Sequence, residues 1–307
     1  MTGITYLKQI GQDAALNPFP SDWKTYINNR IIKSYFDQPN IARMLNPYLD
    51  TLAFDGKSES EVALENDIDD AEVGMEAGIA DTDIEGDVVN MKTPQIYITA
   101  RMSDDKWAML FAGQNRSQRL INRMSNKIKI KEDLYVFRGK TGIHTGLITQ
   151  STDLGNPAGN WSTATNGILI NFQTDIKKIP AQLDAYGVPS EWPIDVALTS
   201  YAYSMISNSF TDYNPEISNR MIAEKMLRGG KFVQSDNLQA SVTTAANTML
   251  VSVRAPTGSE GWTLQASGFD IKQEPTLWGH RIGIRQKVAA KVLNAKLMYF
   301  MDAITVA

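Results

Sequence analysis

Between Asp55 and Asp87 the chain carries 13 acidic residues and one base, Lys57. Like charges at this density repel one another and are costly to dehydrate, so this stretch cannot build a core. It must face water or an oppositely charged surface. Outside it stand 21 acids and 29 bases, so a formal net charge of −4 for the whole chain conceals +8 for the remainder. Two readings follow: a solvated excursion kept soluble by its charge, or a strand pair that lies against the basic surface of another subunit.

Within the stretch, DTDIEGDVVNMK approaches a calcium loop. Asp81, Asp83 and Glu85 stand where oxygen ligands are wanted and Gly86 where the turn is needed. The last position, which should be a bidentate Glu, is Lys92. The loop fails at its decisive residue, and the segment reads instead as a chain turning back into a ribbon toward Ile96 and Ile98.

The rest of the composition narrows the chemistry. With 307 residues, 43% hydrophobic and 21% charged, the chain is globular and long enough for one large domain or two modest ones. Without cysteine there is no thiolate nucleophile, disulfide or Cys-based metal site. The two histidines, His144 and His280, sit in unrelated contexts and read as ordinary surface or turn residues. No metalloprotease, nucleophile-elbow, Walker or dinucleotide motif occurs. The acids that abound belong to the solvated stretch, not to a pocket that could tune them for proton transfer. The expectation is a protein that is not an enzyme and uses no cofactor or metal. The opening MTGITYLKQIGQDAA does not read as a signal peptide, and the apolar run from Leu297 is short and broken by Asp302, so no membrane association and a cytosolic site of synthesis are expected.

Along the chain, Trp23, Ile27, Ile31 and Tyr35 recur every four residues behind the N-cap candidate Ser21, which predicts a short amphipathic helix after a Pro-punctuated arm. Ile96, Ile98 and Ala100 alternate with Tyr97, Thr99 and Arg101, and Pro94 suits an edge, so the return side of the acidic excursion reads as a two-faced strand. Ser103 then caps the strongest helix pattern in the chain: Trp107, Leu110, Phe111, Leu120, Ile121, Met124 and Ile128 keep helical spacing as far as Lys131. At about 1.5 Å per residue this helix is about 42 Å long. Six bases, Arg116, Arg119, Arg123, Lys127, Lys129 and Lys131, are scattered along it, which is not a dense recognition face but leaves non-specific contact with DNA open.

KEDLYVFRGKTGIHTGLI reads as a helix end and a Gly-punctuated turn. From 146 to about 267 elements alternate: a Gly/Asn/Ser loop, a helix near Asp175 to Tyr186 closed by Gly187, the strand IDVALT, helices near Ser200 to Ser209 and Pro215 to Arg228, and the strand TMLVSVR. In HRIGIRQKVAAKV the apolar Ile282, Ile284, Val288 and Val292 alternate with Arg281, Arg285, Lys287 and Lys291, which predicts a strand with one basic face. LMYFMDAITV reads as a more buried strand.

This order, with Glu132, Asp133, Phe137, Arg138 and Gly139 after the long helix, NPEISNRMIAEKMLRGGKFVQSDNL in the insert and the ending GHRIGIRQKVAAKVLNAKLMYFMDAITV, resembles the major capsid proteins of tailed viruses and the related encapsulin shells, the Hong Kong 97-type capsid fold. The resemblance spans nearly the whole chain. It implies an α+β fold with an N-terminal arm (1–45), an extended β-loop (46–102), a peripheral domain with a long spine helix (103–145 and 268–307) and an axial α/β domain (146–267). It implies a subunit that assembles with itself into hexamers and pentamers of an icosahedral shell, encloses double-stranded DNA without sequence preference, and works with a separate scaffold, portal or cement proteins. The protein would then reside in the virion capsid after passing through the host cytoplasm. At the subunit interface Asp67, Asp69, Asp70, Glu72, Asp81, Asp83, Glu85 and Asp87 of the loop would face bases such as Arg281, Arg285 and Lys287. The alternative is an encapsulin-type compartment around an enzyme cargo; the long excursion favours the virus. Some relatives cross-link through Lys and Asn, and no positions here match those residues.

Overall fold

The computed structural model describes residues 40–46, 49–52, 59–64, 87–93, 95–103, 114–142, 144–238, 246–255, 261–267, 270–276 and 279–306. A short helix α1 (Ile41–Leu45) leads to β1 (Leu49–Leu52), β2 (Glu59–Leu64), β3 (Asp87–Lys92) and β4 (Gln95–Met102), then to the long helix α2 (Gln114–Arg138). After it come β5 (Gly139–Lys140), β6 (His144–Thr145), α3 (Leu147–Gln150), β7 (Thr152–Asp153), β8 (Ala164–Thr165), β9 (Ile168–Leu169), α4 (Ile170–Ala185) and β10 (Ile194–Leu198). The remaining elements are α5 (Ser200–Asn208), β11 (Phe210–Thr211), β12 (Asn214–Ser218), α6 (Asn219–Glu224), β13 (Phe232–Gln234), β14 (Asn247–Val253), β15 (Trp262–Ser267), β16 (Asp270–Thr276), β17 (Gly279–Val292) and β18 (Met298–Ile304). The predicted N-terminal amphipathic helix, and Trp107, Leu110 and Phe111, lie outside the described residues.

Two sheets organise these elements. In the first, β1, β15, β17 and β16 follow one another and β4 also pairs with β17. The first half of β17 lies between β4 and β16, and its second half pairs with β15. Alternation puts Ile282, Ile284 and Val288 on one face, where they join Met124, Ile128, Val136 and Phe137 of α2 in a single apolar cluster. As the alternation predicted, Ile96 of β4 is buried while Tyr97 is 74% exposed. The second sheet has the order β13, β10, β14, β18, β7. Its central strands β10 and β14 are buried at every position, as the near-continuous apolar runs of a doubly covered strand require. On one face lie Phe172, Ile176, Ile179 and Leu183 of α4. On the other, Ala197, Leu250 and Met298 join the cluster that holds α2, so the two sheets share a core.

Several boundaries differ from the expected ones. The long helix runs past Lys131 to Arg138, because Val136 and Phe137, both fully buried, extend its apolar face; EDLYVF is its last part and the Gly-punctuated turn begins at Gly139. β15, expected with the insert, pairs with β17, and β18, expected with the peripheral unit, pairs with β14 and β7. β1, expected in the extended loop, pairs in parallel with β15. These strands differ little in composition, so which sheet each joins depends on contacts far away in sequence. Of the helix expected from Pro215 to Arg228, only α6 is helical: Pro215 lies in β12, and Ser218 caps α6 by accepting the Met221 amide. Lys287 is 2% exposed, not on an open basic face, because both faces of β17 become covered there.

α2 stops at Gly139, whose φ of 69° suits a residue without a side chain. The chain then doubles back so tightly in the β5–β6 hairpin that a Cβ on Gly146 would lie 2.3 Å from the Arg138 carbonyl carbon and 2.4 Å from the Gly139 nitrogen. No rotamer relieves a backbone clash. Gly146→Ala is expected to cost at least about 2 kcal/mol, read as a lower midpoint in urea unfolding.

Candidate functional site

The acidic excursion is carried by a ribbon. β2 and β3 pair antiparallel, with Glu59 opposite Lys92 and Leu64 opposite Asp87, and no other described strand pairs with either. The second half of the would-be calcium loop is thus extended ladder. Of the expected interface acids, Asp87 opens β3, while Asp67, Asp69, Asp70, Glu72, Asp81, Asp83 and Glu85 lie outside the described residues. The ribbon leaves the body between β1 and β4, both members of the first sheet. A two-stranded ribbon is marginally stable alone in water. It therefore gains from a second surface.

The structure brings the expected bases against other partners. In the β16–β17 hairpin Arg285 stands opposite Asp270 and Arg281 opposite Glu274. The pairs close at 2.6 Å for Arg285 Nε to Asp270 Oδ2 and 3.7 Å for Arg281 Nη1 to Glu274 Oε2. The amide of Lys287 donates to Ser267 Oγ at 2.9 Å. The signal for this was present and missed: two acids four apart mirror two bases four apart across one turn.

Where the N-terminal region meets α2, two adjacent carboxylates are buried. Glu132 is fully buried and takes Arg43 bidentately, Nε to Oε1 at 2.8 Å and Nη2 to Oε2 at 3.3 Å. Asp133 accepts the amides of Ile41 and Ala42 at 3.2 and 2.9 Å and so caps α1. Arg43 carried no signal in the sequence; an Asp next to a Glu on an otherwise apolar helix face was the available clue. Burial pushes the Asp133 carboxyl up to about 7, and the Glu132 charge adds to the effect, against the two amide hydrogen bonds and Arg43.

The second sheet ends in a surface of a different kind. Asn219, fully buried, donates to the Gly167 carbonyl at 2.8 Å and accepts the Leu169 amide at 3.0 Å. It thereby ties the β8–β9 hairpin to β11 and β12. That end presents Phe210, Tyr213 and Met221, with Tyr213 77% exposed. Elsewhere Asp175 is buried, accepting Trp161 Nε1 at 2.8 Å and the Ala158 amide at 3.0 Å, with Lys178 Nζ at 2.7 Å. These contacts pin the Gly/Asn/Ser loop to α4. Among the described residues no three His, Asp or Glu side chains are grouped to hold a metal ion, and no helix is long and apolar enough to cross a membrane.

No protein-family model matches the sequence, and no curated protein does. Solved structures match in fold. A virus-like particle from Pyrococcus furiosus superposes with a TM-score of 0.58 at 8% identity, over 91% of this chain and 99% of that one. The capsid of Myoviridae phage XM1 gives 0.58 at 11% identity, over 83% and 90%. The holo-SrpI encapsulin complex from Synechococcus elongatus gives 0.55 at 9% identity, over 88% and 89%. The chain therefore has the capsid and encapsulin type of fold, and the structures it resembles are shell proteins.

Because the protonated form of Asp133 is favoured in the fold, the folded chain binds more protons than the unfolded one between about pH 4 and pH 7. The stability this confers is present at acid pH and is lost as pH rises through 7. Asp133→Asn cannot ionise. The stability of the wild type relative to this variant should therefore fall by about 2 kcal/mol between pH 5 and pH 8, measured by urea unfolding at each pH.

Proposed function

We propose that this chain is a major capsid protein that assembles with copies of itself, as hexamers and pentamers, into an icosahedral head around double-stranded DNA. The observation that carries the proposal is the likeness to shell subunits over nearly the full length of both chains. Physical reasons support it. A ribbon marginal by itself, continuous with 13 acids in its stretch, has a use in a shell, where each copy supplies a surface for the next. Repeated heterologous contacts of modest strength become stable when many close together. On this reading 1–45 is the arm, the ribbon is the extended loop, α2 with the first sheet is the peripheral unit and the second sheet with its helices the axial unit. The exposed Phe210 and Tyr213 suit contacts among axial units, and the loop acids suit a neighbour's bases. Scaffold, portal and cement proteins would be separate chains, and the subunit would pass through the host cytoplasm into the virion.

A compartment around an enzyme cargo is the second reading, favoured by the fit to the encapsulin complex, which is nearly as good as that to the phage capsid. Electron microscopy of the purified protein tests the shared part: closed shells or ring-shaped capsomers are expected, and small oligomers alone would sink it. Nucleic acid inside shells purified from cells separates the two readings.

Replacing Asp67, Asp69, Asp81 and Asp83 with Lys should leave the circular dichroism and the urea midpoint unchanged, since acids at this density are too costly to dehydrate to be needed in a core. Shell yield by microscopy should collapse. Unimpaired assembly would remove the loop acids from the interface.

A further inference from the structure

We propose that the solvent-facing strip of α2 bearing Arg123, Lys127, Lys131 and Arg138 binds the phosphate backbone of nucleic acid without sequence preference. The inference rests on the shell reading and gives the nucleic acid a defined contact on each subunit. Its first support is that four exposed bases, unpaired among the described residues, share one helix face. Arg101, Lys140, Lys177, Lys225 and Lys272 are also exposed and without an ion pair among the described residues, but each stands in a different part of the fold. Arg43, Lys178, Arg220, Arg228, Arg254, Arg281 and Arg285 are each paired with an acid of the same chain. The four on the strip are exposed and have no ion-pair or hydrogen-bond partner among the described residues. In a chain with more acids than bases, cations left open in a row call for an outside anion.

Helix geometry supplies the second support. At about 100° per residue the four positions fall within about 80° of one another around the axis and extend over about 22 Å. The opposite face, with Met124, Ile128 and Val136, is spent on the core. The composition is one-sided as well: from Gln114 to Lys131 there are six bases and no acid.

The strip suits a nucleic acid better than an acidic protein. Protein interfaces concentrate their energy in buried aromatic and aliphatic anchors. Among the exposed described side chains of α2 only Ile130 is apolar. A duplex presents a phosphate about every 1.7 Å of its axis, so about 22 Å of helix faces about thirteen of them, ample for every cation on the strip. The strip was visible in the sequence only as scattered bases. Tertiary structure separates the buried Lys129 from its exposed neighbours, which meet no acid among the described residues.

The test is binding of random-sequence duplex DNA by the purified full chain as a function of salt. Arg123→Gln/Lys127→Gln/Lys131→Gln is compared with the wild type and with Arg101→Gln/Lys272→Gln, which removes exposed charge elsewhere. Loss of three phosphate contacts should reduce the slope of log affinity against log salt by about 2.7. Between 50 and 200 mM salt the wild type should then lose about 40-fold more affinity than the triple variant. The control should keep the wild-type slope, and unchanged circular dichroism shows that the triple variant is folded. A triple variant that binds DNA with wild-type affinity and slope overturns the proposal. So does one that binds DNA normally but no longer forms shells, because the strip would then serve a neighbouring subunit, the acidic stretch of another copy being the evident occupant. Absence of shells from the wild type would instead sink the shell reading while the slopes still decide the strip.

Discussion

β17 hydrogen-bonds to three other strands along its 14 residues, and the remaining features of the body depend on that pairing. Its first half fixes β4, from which the acidic ribbon departs, and β16, whose acids neutralise Arg281 and Arg285. Its apolar face supplies the bed on which α2 lies. Once α2 is seated there, Arg123, Lys127, Lys131 and Arg138 are left to solvent, and the same cluster reaches Ala197 and Leu250 on a face of the second sheet. A ladder with this many partners is a non-local commitment: β4 and β17 are separated by most of the chain, so the register forms only when the insert has folded to a compatible size.

The acids of this protein fall into two populations with different physics. Those from Asp55 to Asp87 are dense enough in sequence to repel one another and resist dehydration. Those that are buried stand singly or in a pair, each holding the start of a segment. Asp133 receives the amides of α1, Asp175 receives the Ala158 amide and the Trp161 indole, and Asp195 receives the Lys231 amide at 3.1 Å with Arg254 Nε at 3.4 Å. Burial raises Asp195 as it does Asp133. A buried carboxylate is costly unless hydrogen-bonded, so each marks a place where one backbone conformation is strongly preferred. At the α1–α2 junction this ties the start of the described chain to the long helix.

The bases divide in a corresponding way. Arg43, Lys178, Arg220, Arg228, Arg254, Arg281 and Arg285 are each answered by an acid within the subunit, which limits their availability to a neighbour. The loop acids would therefore find a partner's charge mainly where it is not already matched, and the exposed face of α2 is such a place as well as a surface for phosphate.

The sequence alone determined the parts whose cause is local. Helical spacing of Met124 and Ile128, alternation at Ile96 to Arg101 and Ile282 to Val288, and the largely apolar runs of β10 and β14 all follow from which side chains can leave water. The order of these elements was enough to suggest the shell fold. Tertiary structure decided what composition leaves degenerate: that β15 joins β17 while β18 joins β14, that α2 continues through Glu132 and Asp133 because Arg43 and the α1 amides receive them, and that Arg281 and Arg285 are already paired. An ion pair or a sheet partner depends on distance in space, and distance in space between residues far apart in the chain is not encoded by any one of them.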